Sequence, residues 1–248
     1  MGNAWGNYRS RTVVRGDTRR ETALERERRY LKLKVPNSLD YNIAIVDGVE
    51  QRLAIIDSDN YDQKTICSMP GEDIRCGARV DWAGQHWLVI TKDAKTELRT
   101  RCIMLQCNYL LRFVGYDGSI QERWCYIEDG TKYLTGEWTD GFFVMTRGDS
   151  RIAMTITKDE YTSKFNRESR FLIDDYDSED VLAYRLTKPM KVGGTYGELD
   201  NTNGVFKFVL SECNREDDDN IELHIADYYN SYPKEKNKDT PEGKKVWI

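Results

Sequence analysis

The feature that most constrains this chain is an alternation of apolar and polar residues, interrupted at intervals by short turns. Apolar residues alternate through Tyr41–Ile45 and again through Val49–Ile55, and Asp47-Gly48 separates the two runs. An Asp-Gly pair between alternating runs is a strong signal for a β-hairpin. Similar turns occur at Ala83-Gly84 and at Asp117-Gly118. The pattern therefore predicts a chain of antiparallel hairpins.

The remaining alternating runs predict about a dozen strands in total. One long strand is expected from Cys102 to Val114, and after the turn it continues into Ile120–Ile127. Further strands are expected at 142–146, 151–157, 169–173, 181–186, 205–211 and 221–225. The 15 tyrosines and 6 tryptophans also favour strands over helices. The predicted class is all-β: two small regions, each a β-barrel or sandwich, preceded by a basic N-terminal arm with one helix.

Composition shifts divide the chain into four predicted segments. Residues 1–36 form the basic arm and its helix, 37–114 a first β-barrel, 115–228 a second β-rich domain, and 229–248 a linker-like tail. No apolar run approaches the roughly 18 residues that a membrane-spanning helix needs. Neither membrane insertion nor export is expected from this pattern, and we predict a chain that remains in the cytoplasm where it is made.

The N-terminal arm is basic whereas the rest of the chain is acidic. Residues 8–34 carry ten Arg or Lys against four acids, a net +6 within a chain of net −5, so the remainder is −11. Thr18-x-x-Glu21 has the form of a capping box, so a helix is expected to begin there and to stop at Pro36. The predicted partner-binding residues are Arg9, Arg11, Arg15, Arg19, Arg20, Arg26, Arg28 and Arg29. Their partner is either an acidic neighbouring protein or the phosphates of nucleic acid.

The sequence contains no motif of a familiar catalytic or metal site. The only histidines are His86 and His224, and the six cysteines show neither a paired metal-ligand spacing nor a disulfide framework. The acidic clusters 174–180 and 216–219 lack the central glycine of a calcium-binding loop and are expected to be solvated. A glycosidase with two carboxylates would leave no local signature. We therefore predict no catalytic residue, no metal, no cofactor and no enzymatic activity.

Six blocks of the sequence form a distinctive set: Met69–Asp73, Gly77–Trp82, Trp87–Ala94, Leu105–Leu111, Glu128–Gly136 and Thr146–Arg151. Together they resemble a family of structural proteins encoded among the head–tail joining genes of phages that infect Gram-positive bacteria. Residues 40–114 are also similar in plan to head-closure (stopper) proteins, which are small β-barrels that form a ring under the portal. A hairpin of the form G-x-x-V-x-W-x-G-x-x-W-L-V is typical of them. Here it is carried by Gly77, Val80, Trp82, Gly84, Trp87 and Val89.

The resemblance implies a structural subunit of the virion neck, a ring that closes the DNA exit channel below the portal and docks the tail. Its implied partners are other copies of itself, portal or adaptor and tail proteins, and the genomic DNA that passes through the channel. The implied location is the virion, assembled in the cytoplasm of the bacterial host. A tail-completion or head-surface virion protein remains an alternative, and a virion-associated cell-wall hydrolase is the alternative of a different class.

Overall fold

The computed structural model describes residues 18–93, 97–129, 151–174, 181–190 and 204–231. Two α-helices, two 3₁₀ turns and twelve strands lie in these ranges. They are α1 (Arg19–Lys34), a 3₁₀ turn (Val35–Asn37), β1 (Tyr41–Val46), β2 (Val49–Asp57), β3 (Gln63–Ser68), β4 (Arg79–Trp82), β5 (Gln85–Lys92), β6 (Arg101–Gln106), β7 (Tyr109–Val114), β8 (Ile120–Asp129), β9 (Arg151–Thr157), a 3₁₀ turn (Thr162–Lys164), β10 (Arg170–Leu172), β11 (Ala183–Met190), β12 (Val205–Cys213) and α2 (Tyr228–Ser231). The all-β class with one N-terminal helix is confirmed.

The first six strands form a closed barrel in the order β1-β2-β3-β6-β5-β4. All pairs are antiparallel, and the hairpin turns fall at Asp47-Gly48 and Ala83-Gly84, as predicted. All four turn residues have positive φ, which is the backbone of the tight turns that match the twist of a hairpin. Alternate side chains fill the barrel with a core of aliphatic residues and Trp87. The period-2 alternation therefore encodes an inner and an outer face, as the sequence predicts.

The other six strands form a second sheet in the order β10-β11-β12-β9-β8-β7. Its core contains five phenylalanines: Phe113, Phe165, Phe171, Phe206 and Phe208. The edge strands β7 and β10 are not paired through their backbones, but the Tyr109 hydroxyl donates a hydrogen bond to the Leu172 carbonyl at 3.3 Å. The sheet therefore curls until its two edges meet, and a side chain bridges them.

The predicted long strand from Cys102 to Val114 is wrong. The chain leaves the barrel at Gln106, and Tyr109 already pairs with Cys125 in the second sheet. Cys107 and Asn108 connect the two sheets, and each is held by hydrogen bonds to the other strands there. The change of sheet thus falls about six residues before the predicted boundary at 114/115, whereas the division into domains itself stays a prediction.

Two other predicted strands have different outcomes. Residues 221–225 form turns rather than a strand, with a single bridge between Asn220 and Ile225. The Asn220 side chain accepts from the Leu223 amide, and His224 adopts a positive φ, so local turns replace the extended backbone. The predicted strand at 142–146 lies outside the described residues. Among the described helices, none is long and apolar enough to cross a membrane.

Candidate assembly surfaces

The predicted helix of the arm forms, and part of its basic surface is used within the chain. The Thr18 hydroxyl and the Glu21 carboxylate each accept from the other's backbone amide, which completes the predicted capping box. Arg20 contacts the carboxylate of Glu97 at 2.5 Å, and Arg28 donates to the Glu97 carbonyl at 3.0 Å. Leu31 packs beside a small cluster of barrel residues. These contacts join α1 to the barrel side at two points, the Glu97 loop and the cluster beside Leu31, and none of its residues is buried.

The eight predicted arginines therefore fall into three groups. Arg20 and Arg28 hold the helix, and Arg19, Arg26 and Arg29 are exposed on it. The other three, Arg9, Arg11 and Arg15, lie outside the described residues. Tyr30 and Leu33 are also exposed on α1, at 53% and 72% of their surfaces. The solvent-exposed surface of α1 thus combines guanidinium groups with apolar side chains.

The six residues of the family hairpin divide between the barrel core, a turn and a contact with the second sheet. Val80, Trp87 and Val89 are buried in the barrel core, and Trp82 packs against it while half exposed. Gly84 supplies the turn with φ +72°. Their first role is to build the barrel, which explains the spacing of large and small residues in the motif.

Gly77 has a separate role, because it lies against the second sheet. A Cβ added to Gly77 would stand 2.1 Å from the Gly204 carbonyl oxygen, and its φ is +82°. The Gly77 carbonyl accepts from the Thr157 hydroxyl at 2.7 Å, and the Gly204 amide donates to the Cys76 carbonyl at 2.9 Å. Only glycine allows the two backbones to approach this closely.

Side chains from both sheets pack around this glycine contact. Leu88 and Cys107 of the barrel side pack with Val205 of β12, and Trp124 of β8 packs against them. The His86 ring stacks on Trp124 with centroids 4.0 Å apart, and its Nδ1 lies 2.6 Å from Asp81 Oδ1. His86 thus contacts the second sheet through its ring and an adjacent carboxylate of the barrel through Nδ1. We call this set of contacts the junction.

The seam at which β1 meets β4 is the shortest pairing of the barrel. β4 pairs with β1 only at Ile45–Asp81 and Val46–Val80, whereas β2 pairs with all six β1 residues. The segment 41–44 therefore extends beyond its β4 neighbour. A groove of about 450 Å³ opens there. The residues that line it are Ile43, Ala44, Ile45, Glu50, Asp81, Trp82, Ala83, Gly84, Gln85 and His86.

This groove combines apolar walls with acidic groups. Ile43 and Ile45 expose 56% and 44% of their surfaces, which is high for two isoleucines on one strand face. Glu50 is exposed beside them, and the Asp81 carboxylate already contacts Arg79 and His86. One wall is the turn end of the family hairpin, from Trp82 to His86. We call this surface the seam groove; contiguous exposed apolar surface of this kind is typical of interaction sites.

The acidic cluster 216–219 is only partly solvated, contrary to expectation. Asp219 is buried and its carboxylate accepts from the Arg170 guanidinium at 2.8 Å, while Arg170 also contacts Asp227 at 2.7 Å. Carboxylate oxygens of Glu216, Asp218 and Asp227 lie within 4.8 Å of one another, with Arg170 beside all three. The cation that balances this cluster is thus a guanidinium of the same chain, and the ion network joins β10 to the segment that follows β12. The other acidic cluster, 174–180, is described only at Asp174.

The thiols have the properties of core residues. All six cysteines are free, and five are buried. Burial raises the pKa of Cys76 to about 11 and the pKa values of Cys102 and Cys107 to about 12. A thiolate nucleophile needs the opposite shift. His224 is buried, and this burial, followed by the charge of Arg112, lowers its pKa. These groups support packing rather than chemistry.

A scan against protein-family models finds no match to this chain. Searches among curated proteins and among solved structures find none either.

Proposed function

We propose that this chain is a structural subunit of a tailed-bacteriophage neck. In this proposal copies of the chain form a ring below the portal, close the DNA exit channel and dock the tail. The observation that carries the proposal is that the hairpin with the family motif forms one wall of the seam groove. The sequence block that resembles stopper proteins therefore coincides with a groove of the barrel that exposes two isoleucines.

The distribution of contacts also supports a subunit of an assembly. A strand that extends beyond its neighbour offers a partly open sheet edge, and such edges are used to pair with another chain. The exposed face of α1 offers a second, basic surface. Two different surfaces on one subunit suit the head-to-tail contacts of a closed ring.

The proposed partners are further copies of the chain, portal or adaptor and tail proteins, and the DNA in the channel. The net charge of −11 outside the arm disfavours phosphate contacts, so DNA would slide past the body rather than adhere to it. The proposed location is the neck of the virion, after assembly in the host cytoplasm.

The purified full chain tests the assembly part of the proposal. Sedimentation velocity and electron microscopy should show closed rings, and Ile43→Glu should abolish them while circular dichroism stays unchanged, because it places a charge on the apolar seam groove. Ile120→Glu is the matched control, since Ile120 is exposed to a similar degree (46%) on the second sheet. Rings that survive Ile43→Glu would contradict the use of this groove.

The position in the virion is tested by deleting the gene and imaging the particles. A neck subunit predicts heads that package DNA and then lose it, and extra density below the portal when the gene is restored. Intact, DNA-filled heads with unfinished tails would instead support a tail-completion protein. Turnover of peptidoglycan by the purified chain would support a cell-wall hydrolase.

A further inference from the structure

We propose that the seam groove of one subunit binds the N-terminal segment, residues 1–17, of an adjacent copy. This inference rests on the proposed ring, and it names the ligand of the groove within that ring. Three independent features of the molecule support it: the open strand edge, the charge of the groove, and the position from which the segment leaves the barrel.

The first feature is the backbone of β1. Its residues 41–44 have neighbours on the β2 side and extend past the end of the β4 pairing. An extended segment laid along this edge gains main-chain hydrogen bonds and places alternate side chains against the groove. Ile43 and Ile45 already offer it apolar surface. The groove is therefore shaped for a strand rather than for a compact ligand.

The second feature is charge. Residues 1–17 carry Arg9, Arg11 and Arg15 against the single acid Asp17. In an extended conformation these three arginines and Val13 point to the same side, because side chains alternate along a strand. The groove offers the exposed carboxylate of Glu50, whereas Asp81 already contacts Arg79 and His86. A basic segment with an interspersed valine thus complements a groove that has isoleucine walls and one exposed carboxylate.

The third feature is where the segment begins. Arg20, at the start of α1, is held by Glu97 in the loop that follows β5. The groove includes Gln85 and His86 at the opposite end of β5. The distance between the ends of this strand is about 20–25 Å, at 3.3 Å per residue. The first described residues of α1 and the groove of the same chain therefore lie at opposite ends of β5.

The length of the segment suffices for a neighbour. Seventeen extended residues span about 56–61 Å, more than twice the length of β5. This length suffices to reach the groove of an adjacent barrel, and each copy in a ring would then both give and receive one segment. Such an exchange makes the ring contacts identical around the circle.

Photo-crosslinking of the full chain tests this exchange. The variant Val13→p-benzoylphenylalanine is prepared in two forms, one with natural nitrogen (light) and one labelled with the heavy nitrogen isotope. The two forms are mixed, allowed to assemble and then irradiated. We expect crosslinks that join light to heavy chains, with the target in tryptic peptides 35–52 or 80–92, which contain the groove residues. The same crosslinker at Tyr61, which is 95% exposed on another loop, controls for random collision.

A second variant measures the role of the groove itself. Ile43→Lys should reduce the mixed-chain crosslink about tenfold or more, because binding would desolvate the new ammonium group against apolar walls and bring it close to the arginines of the segment. Ile120→Lys should leave the yield unchanged. Crosslinks confined to single chains, or to peptides elsewhere, would overturn the exchange even if rings form. A chain that stays monomeric at every concentration would overturn the proposed ring as well.

Discussion

The barrel and the second sheet differ in how their edge strands are joined. Each has six antiparallel strands, but the barrel closes through backbone pairing whereas the second sheet leaves β7 and β10 joined by a side chain. The barrel is filled mainly by aliphatic residues and the second sheet by phenylalanines, and an ion network around Arg170 ties β10 to the segment after β12. The stability of the second sheet therefore depends on a few identifiable side chains, whereas the stability of the barrel depends more on backbone hydrogen bonds between its strands.

The largest expected effect comes from the ion network of the second sheet. Arg170→Met should lower the free energy of unfolding by about 3–5 kcal/mol, because it leaves the buried Asp219 carboxylate without its cation. Urea unfolding followed by circular dichroism measures this change. Arg167→Met, at an exposed residue three positions away, should alter stability by less than about 0.5 kcal/mol. Similar effects of the two substitutions would show that Arg170 does not hold the sheet.

The next largest effect belongs to the junction, which links the two regions. Gly77→Ala should cost about 2–4 kcal/mol, since its Cβ would collide with the Gly204 carbonyl and its φ is positive. Gly48→Ala is the matched control: Gly48 has nearly the same φ of +83° but has open space around it. It should cost only about 1–2 kcal/mol. Equal losses would mean that backbone strain alone, and not the contact between the sheets, explains Gly77.

A smaller effect tests the bridge between the edges of the second sheet. Tyr109→Phe removes the hydrogen bond to Leu172 and should lower the free energy of unfolding by about 0.5–1.5 kcal/mol. Amide hydrogen exchange should become faster in β10 and β7, while the barrel strands keep their protection. If β10 exchanges at the same rate in both proteins, the hydroxyl does not join the edges.

The smallest effect lies in the barrel and depends on pH. Burial alone would raise the pKa of Asp73, but hydrogen bonds from Lys92 and Thr100 outweigh it and lower that pKa. The stabilisation is therefore present above the unfolded-state pKa of about 3.9 and disappears as pH falls through the lower folded-state pKa. Asp73→Asn should cost about 0.5 kcal/mol at pH 7, since this carboxylate is largely exposed.

The pH profile of that variant provides its own check. The difference between Asp73→Asn and the natural protein should be constant above about pH 5 and vanish in strong acid. Asp59→Asn, in an exposed loop, is the matched control and should alter stability at pH 7 by less than about 0.5 kcal/mol. A difference that grows towards low pH would contradict the assigned direction of the pKa change.

The elements that are local in sequence could be predicted. The capping box at Thr18 and the turns at Asp47-Gly48 and Ala83-Gly84 depend on a few adjacent residues, so the sequence alone predicts them. The change of sheet at Cys107 could not be predicted. The apolar–polar alternation continues from β6 into β7, and it does not show with which strand β6 or β7 pairs. Pairing depends on partners far along the chain.

The candidate surfaces show the same limit. Arg170 and Asp219 are separated by 49 residues, so no spacing rule brings them together. The seam groove did leave a signal: in β1, Ile43 and Ile45 lie on the opposite face from Ala44 and Val46, so both faces of the strand are apolar. Such a strand is expected when both faces are covered. Here the described residues cover only one of them, which is the physical reason to expect a partner.

The β4–β5 hairpin has a mechanical consequence for the whole chain. The turn of this hairpin forms a wall of the seam groove. Its strand β5 places His86 on Trp124 and Leu88 against Val205. A force applied to the groove by a bound chain therefore acts on a short, stiff, hydrogen-bonded ribbon whose far side rests on the second sheet. The Gly77–Gly204 contact lies two residues before this ribbon begins, so only a few residues separate the groove wall from the second sheet.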